Sequence, residues 1–261
     1  MPDFDAEFMV RAADDIRGWL IDLDGTLICG GRAMPGAKAF LDACDGRFVV
    51  VSNDAEHTPA ELANQLFRMG LNVPASRIVL AGAVALDEIA KRRPGARVLV
   101  LASDALVRHA RERGLVPVRT RPDVIFLGRD RRFSHARLAL AANAVRAGAE
   151  LVVANPDLVH PGADGAVVPE TGALLAALLA CTGPVSYRLV GKPEPTLFAA
   201  GLALLGLPKR LVAMLGDNPR TDGEGARRFG LRYVEVAGGV FPQGDVETAC
   251  PREGGVFALP A

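Results

Sequence analysis

Gly18-Trp-Leu-Ile-Asp-Leu-Asp-Gly-Thr-Leu27 is the stretch around which the rest of the chain falls into place. Trp19-Leu20-Ile21 is a short apolar run with the composition of a buried strand. It delivers two carboxylates, Asp22 and Asp24, on either side of Leu23, and Gly25 then lets the chain turn away. Residues i and i+2 of a strand share a face, so both acids start out pointing the same way. Carboxylates converging at a strand end repel each other unless a cation or a basic side chain joins them. Taken alone, Asp-Leu-Asp-Gly also fits a strand end with two solvated acids before a turn. An EF-hand calcium loop does not fit, because Thr26 stands where it needs an acid or Asn and Leu27 where it needs glycine.

The 261 residues, half of them hydrophobic, suffice for one large core or two modest ones. Lys+Arg and Asp+Glu number 30 each, so no net field draws the chain to nucleic acid or to an anionic membrane. Cys29, Cys44, Cys181 and Cys250 form no Cys-x-x-Cys pair and suit a reducing compartment. The four histidines, at 57, 109, 135 and 160, are too scattered to suggest zinc. The acidic N-terminus lacks a signal-peptide pattern and no apolar stretch reaches membrane-spanning length. A soluble, cytoplasmic protein is expected.

Residues 5–17 are expected to form a short amphipathic helix. After the acid pair, a turn rich in Gly and Pro (Gly30-Gly31, Pro35-Gly36) leads to a helix over Ala37 to Cys44. A strand over Arg47 to Ser52 follows, then a helix starting after Thr58-Pro59, with Glu61 in its first turn. Apolar runs next alternate with helical patterns, at 78–80, 97–101, 124–127, 151–153, 188–190, 211–215 and 233–236. That alternation predicts an α/β fold on parallel strands. In such folds chemistry gathers beyond the carboxyl ends of the strands. Four runs end there in polar residues: Asp22-Leu-Asp24, Ser52-Asn53, Gly191-Lys192 and Gly216-Asp217-Asn218, with Asp222 close behind. Each has a structural explanation singly. Jointly, an acidic pair, a hydroxyl, a lysine and a second acidic cluster point to a site.

These residues resemble, in order, the four motifs of the haloacid dehalogenase superfamily of phosphohydrolases: Asp22-Leu-Asp-Gly-Thr26, Ser52-Asn53, Lys192 and Gly216-Asp-Asn-Pro-Arg-Thr-Asp222. Val124–Asp130, Ala154-Asn-Pro-Asp157, Thr171–Ala176 and Gly191–Pro195 are similar to segments of its NagD-like, or 4-nitrophenylphosphatase-like, branch. The resemblance runs from about Gly18 to Gly239. It implies a Rossmann-like three-layer core with a parallel sheet and an inserted α/β cap. The span of 140 positions from Ser52 to Lys192 leaves room for that cap. The expected division is core over residues 1–80, cap over 81–188 and core again over 189–261, with hinges near Gly82 and Tyr187.

The same resemblance implies roles. Asp22 is the expected nucleophile, forming an aspartyl-phosphate. Asp24 is the expected acid and base for the leaving group and the water. Ser52 and the backbone N–H groups near Leu23, Asp24 and Asn53 are expected to hold the phosphoryl oxygens, and Lys192 to balance the charge. Mg²⁺ is the expected cofactor, held by the Asp22 and Asp217 carboxylates and the Asp24 carbonyl. Asp222 is expected to orient the groups around the metal or Lys192, and Asn218 to add a contact there.

Two departures from the branch stand out: Asp54 adds negative charge beside the anion site, and Gly223 replaces a larger apolar residue. Asn155 and Asp157 fit either a turn holding the cap to the core or a contact to substrate. The expected activity is Mg²⁺-dependent hydrolysis of a small phosphorylated metabolite, such as phosphoglycolate, glycerol phosphate, a sugar phosphate, a nucleotide or pyridoxal phosphate. The alternatives are a catalytically weak phosphometabolite-binding protein and a haloacid dehalogenase, which has no use for Asp24, Asp217 and Asp222. A short receiver-type phosphate switch has no place for a 140-residue insertion. No nucleic-acid or membrane partner is expected, and a homo-oligomer is left open.

Overall fold

A computed structural model describes residues 15–161 and 166–236. The helix expected over residues 5–17 falls almost wholly outside the described residues, as does Cys250. In chain order the strands are β1 (Gly18–Ile21), β2 (Ile28–Cys29), β3 (Arg32–Ala33), β4 (Phe48–Ser52), β5 (Ile78–Leu80), β6 (Arg97–Leu101) and β7 (Val116–Pro117). They continue with β8 (Val124–Leu127), β9 (Glu150–Val153), β10 (Val159–Pro161), β11 (Val167–Pro169), β12 (Tyr187–Leu189), β13 (Val212–Gly216) and β14 (Arg232–Glu235). The α-helices are α1 (Ala37–Ala43), α2 (Pro59–Arg68), α3 (Ala81–Arg92), α4 (Asp104–Glu112), α5 (His135–Arg146), α6 (Thr171–Thr182), α7 (Pro195–Leu205) and α8 (Glu224–Phe229).

Two five-stranded sheets carry the architecture, ordered β14-β13-β1-β4-β5 and β12-β9-β8-β6-β7. Every pairing within them is parallel. A parallel sheet covered on both faces reads as a continuous apolar run, and β1 does so for that reason. Trp19 and Ile21 join the apolar cluster on one face, with Phe48, Val50 and Leu215. Leu20 points the other way, into a cluster with Val49, Val51, Met214, Leu197 and Phe198. That second cluster continues without a break to Val98, Val100, Phe126 and Val152, so the first sheet and the second share apolar packing. The outer face of the second sheet packs Leu99, Ile125, Leu127 and Leu151 against α5 and α6.

Local signals account for several element ends. Thr58 caps α2: its hydroxyl accepts from the Glu61 amide at 3.3 Å while the Glu61 carboxylate accepts from the Thr58 amide at 3.1 Å. Gly30 and Gly31, at φ 54° and 75°, form the two-residue loop of the β2–β3 hairpin. The sequence reading leaves that hairpin as a turn, because two-residue strands carry no periodicity. β7, of two residues, and the antiparallel β10–β11 pair, of three residues each, are likewise too short to show in the pattern.

Lys192 differs from expectation in its origin. The strand before it, β12, pairs with β9 in the second sheet, so the lysine does not follow a strand of the first. It lies on the segment that returns from one sheet to the other, with the Val190 and Gly191 amides still bonded to Val153 and Ala154 carbonyls. Gly82 lies in the first turn of α3, where its amide donates to the Asp54 carbonyl at 3.0 Å. A Cβ there would meet Leu106 at 2.8 Å and the Ala55 backbone at 3.0 Å, so the position requires glycine for close packing. Tyr187 opens β12, opposite Leu151. Among the described residues no helix is long and apolar enough to cross a membrane.

The shared core predicts a measurable dependence on β1. Leu20→Ala removes a fully buried side chain that packs between β1 and α7 and is expected to cost about 2–5 kcal/mol in urea or guanidinium unfolding. A loss below about 1 kcal/mol would contradict this packing.

Candidate active site

The carboxyl ends of β1, β4 and β13 converge on one cleft of about 260 Å³. Asp22 follows β1 directly, and its amide continues the pairing with β13 by donating to the Leu215 carbonyl at 2.8 Å. Gly25, at φ +84°, turns the chain after Asp24, and a Cβ there would fall 2.1 Å from the Asp217 carboxylate. Glycine is thus required both by the turn and by the neighbouring acid. The Leu23 carbonyl accepts the Thr26, Leu27 and Ile28 amides, while its side chain is buried in the core.

Asp22, Asp217 and Asp222 each bring a carboxylate oxygen within 4.8 Å of the other two, and all three residues are buried. Like charges so placed repel strongly in a low-dielectric setting. Lys192 answers them. Its Nζ lies 2.6 Å from Asp22 Oδ1, 2.6 Å from Asp222 Oδ1 and 3.0 Å from the Val51 carbonyl. Burial works against a charged lysine, but the Asp22 and Asp222 carboxylates outweigh it and hold the ammonium pKa above its usual value. Thr26 donates to the other Asp22 oxygen at 3.3 Å.

Asn53 places Lys192. Its side-chain oxygen accepts the Lys192 amide at 2.7 Å and its side-chain nitrogen donates to the Lys192 carbonyl at 3.1 Å. The same nitrogen donates to Asp157 at 3.0 Å, and Asn155 donates to the Asn53 carbonyl at 2.7 Å. Asn155 also accepts the Asp157 amide at 3.1 Å. Of the two readings of Asn155 and Asp157, these contacts favour the turn that ties the second sheet to the first, although both residues also line the cleft.

Ser52 is buried at the end of β4 and accepts the Asp54 amide at 3.0 Å. The negative charge that Asp54 brings is already matched. Burial would raise its pKa, but the His57 ring at 2.7 Å and the Glu56 and His57 amides hold it below the ordinary carboxylate range. At Gly223 a Cβ would lie 3.1 Å from the Tyr233 ring, so a larger side chain requires that ring to shift. Asn218 accepts the Arg220 amide at 3.0 Å, and its own amide donates to Asp222 at 3.2 Å. Both residues belong to the turn around Pro219–Gly223 that follows β13.

Asp24 is exposed within the cleft, beside the acid cluster. The protein walls around it and then the Asp22 charge push its carboxyl up to about 7, with Asp54 and Glu170 adding to the rise and His160 opposing it. That places its proton where a group can both give and take one near neutrality.

One part of the cleft is absent from the sequence reading. Arg129 after β8 and His160 and Glu170 of the β10–β11 hairpin meet in its wall, with Glu56 after β4 paired to Arg129. Arg129 falls inside the Val124–Asp130 segment already noted, but no local spacing links it to Glu170 or Glu56.

Comparisons with known proteins agree with this geometry. Residues 19–116 match a family model described as haloacid dehalogenase-like hydrolase, and residues 189–257 one described as HAD-hydrolase-like. An acid sugar phosphatase of Staphylococcus aureus is 33% identical over 235 residues, covering 88% of this chain and 90% of that protein. A glycerol phosphate phosphatase from Mycobacterium tuberculosis, solved with magnesium, superposes with a TM-score of 0.81 at 35% identity, covering 88% of this chain and 70% of that one. A 4-nitrophenylphosphatase from Thermotoga maritima gives 0.82 at 28% identity, with 88% of each chain covered. The chain belongs to the haloacid dehalogenase-like hydrolases and to their NagD-like phosphatases.

Asp157 supplies a test of the contact between the two sheets. Burial pushes its carboxyl up to about 6, against the Asn53 hydrogen bond and the Lys192 charge. The folded protein therefore holds this proton more tightly than the unfolded chain, whose carboxyl titrates near 3.8. Its contribution to stability is present at low pH and falls as pH rises from about 4 to about 6. Asp157→Asn keeps an acceptor for Asn53 without the charge. Urea unfolding across that range is expected to show a flatter pH slope and no loss of stability at pH 7. A lower stability at pH 7 would contradict the assignment.

Proposed function

We propose that this phosphatase hydrolyses a small phosphomonoester through a phosphoenzyme on Asp22, with Mg²⁺ in the cleft. The observation that carries the reading is the charge balance of the site. Three buried carboxylates gather around one buried ammonium, an excess of negative charge that a divalent cation offsets. All the donors are hard oxygens, and the cradle above them exists because Gly25 has no Cβ. Asp22, Asp217 and the Asp24 carbonyl would hold the ion. Asp222 would position rather than ligate, since it already engages Lys192 and the Asn218 amide. When bound, the ion neutralises charge on the phosphoryl oxygens.

This chain's residues supply the remaining steps. An Asp22 carboxylate oxygen attacks phosphorus as the bond to the leaving oxygen breaks, and Asp24 gives that oxygen its proton. Asp24 then takes a proton from water, which attacks phosphorus and breaks the Asp22–phosphorus bond. Phosphate leaves and both acids return to their starting states. Ser52, with the amides near Leu23, Asp24 and Asn53, supports the phosphoryl oxygens, and Lys192 offsets their charge. Asn218 keeps the turn that carries Asp222 in place.

In this reading the first sheet with its helices is the core, over residues 1–80 and 189–261, and residues 81–188 form the cap that covers the cleft. The leaving group would lie between them. The substrate is a small phosphorylated metabolite rather than a nucleic acid or a membrane component, in keeping with the balanced charge. A cytoplasmic setting fits the unclustered cysteines.

Phosphate release from a panel of small phosphomonoesters at neutral pH tests the proposal. Turnover is expected to require Mg²⁺, to disappear with a chelator, and to fall by at least about 10³-fold in Asp22→Asn. Circular dichroism of that variant is expected to match the parent. Metal-independent turnover, or an Asp22→Asn enzyme with near-parental rates, would refute it.

A further inference from the structure

We infer that Glu170 is a specificity-determining residue that makes the cleft take uncharged, hydroxyl-bearing leaving groups and reject those carrying a carboxylate. The inference rests on the phosphomonoesterase reading above. Four basic side chains line the cleft among the described residues: His57, Arg129, His160 and Lys192. A leaving-group carboxylate would need one of them, and each is already matched. Lys192 is taken up by Asp22 and Asp222. His57 is bonded to Asp54 at 2.7 Å. His160 is bonded to Glu170 at 2.5 Å. Arg129 lies between two acids, 3.1 Å from Glu56 and 3.3 Å from Glu170.

Glu170 closes this network. Its side chain is only 12% exposed, and its partners Arg129 and His160 both engage Oε1. Neither engages Oε2, which remains an acceptor in a cleft wall near Asp24. A hydroxyl can donate to that oxygen, whereas a carboxylate has no proton to give and meets a like charge. Arg129 compensates poorly, because an incoming anion would have to share its single positive charge with Glu56 and Glu170. The chain thus places a potential anion receptor in the cleft wall and blocks it with its own acids. Negative selection of this kind is a common source of specificity.

Glycerol 3-phosphate and 3-phosphoglycerate make a matched test, since they differ by a terminal CH₂OH against a carboxylate. With Mg²⁺ present, the parent enzyme is expected to favour glycerol 3-phosphate in kcat/KM by at least about tenfold. Glu170→Gln relieves the like charge and releases Arg129 from one acid. It is expected to shift the ratio of the two values toward 3-phosphoglycerate by about tenfold, mainly through a lower KM for that ester. Glu56→Gln also releases Arg129 but keeps Glu170, and is expected to shift the ratio the same way by a smaller factor. A purely structural role would slow both esters together and leave the ratio unmoved. A parent enzyme that handles the two equally or prefers 3-phosphoglycerate, or a ratio unchanged in both variants, would overturn the inference. 4-Nitrophenyl phosphate, run alongside, separates the two levels of failure. Its hydrolysis without discrimination between the matched pair overturns this inference alone, while loss of all three esters in the parent enzyme overturns the phosphomonoesterase reading with it.

Discussion

One buried ammonium makes the acidic site possible. Lys192 is 2% exposed and sits at 2.6 Å from two carboxylates, in a cluster that also holds Asp217. Removing charged groups from water costs several kcal/mol each, and attraction between partners returns that only when the geometry is tight. Here it is tight, and still one-sided, because the acids outnumber the cation. A chain optimised only for stability would not bury such a cluster. Its persistence at the ends of β1 and β13 marks a place where folding free energy is exchanged for a charge distribution suited to a phosphate and a divalent ion.

The lysine's position depends in turn on both sheets. It lies on the segment returning from β12, and its backbone is gripped from both sides by Asn53, at the end of β4. Asn53 is also where Asn155 and Asp157 reach across from the end of β9. One amide side chain therefore couples the loop after β4, the cationic centre and the second sheet. Any rotation of that sheet relative to the first would be felt at Lys192 through these bonds. The apolar cluster running from Leu20 to Phe126 limits such movement from behind the site.

Much of this was legible in the sequence, and the reasons are specific. Trp19-Leu20-Ile21 announced a strand covered on both faces, and the polar residues at strand ends announced a site, because parallel α/β sheets send those ends to one edge. Thr58, Pro59 and Glu61 marked a helix start that the structure has. What stayed hidden has a physical explanation as well. The sequence puts Lys192 after a strand but does not indicate which sheet that strand joins, since sheet order is set by packing and not by local pattern. The hairpin of β10 and β11 has strands too short to carry a period, yet it brings His160 to Glu170. The Arg129 pairs with Glu56 and Glu170 span 73 and 41 positions, and no spacing rule reaches that far. Asp54 showed as extra charge, but its neutralisation by His57 and two amides depends on a loop conformation that only the fold determines.

The central claim is that Asp22 carries the phosphoryl group. The direct measurement is a single-turnover reaction with a ³²P-labelled ester and Mg²⁺, quenched in acid within milliseconds and digested for peptide mapping. The account predicts transient label on the peptide containing Asp22, stable in acid, released by hydroxylamine and formed at least as fast as phosphate appears. Phosphate released at the full rate with no label ever reaching that peptide would contradict it.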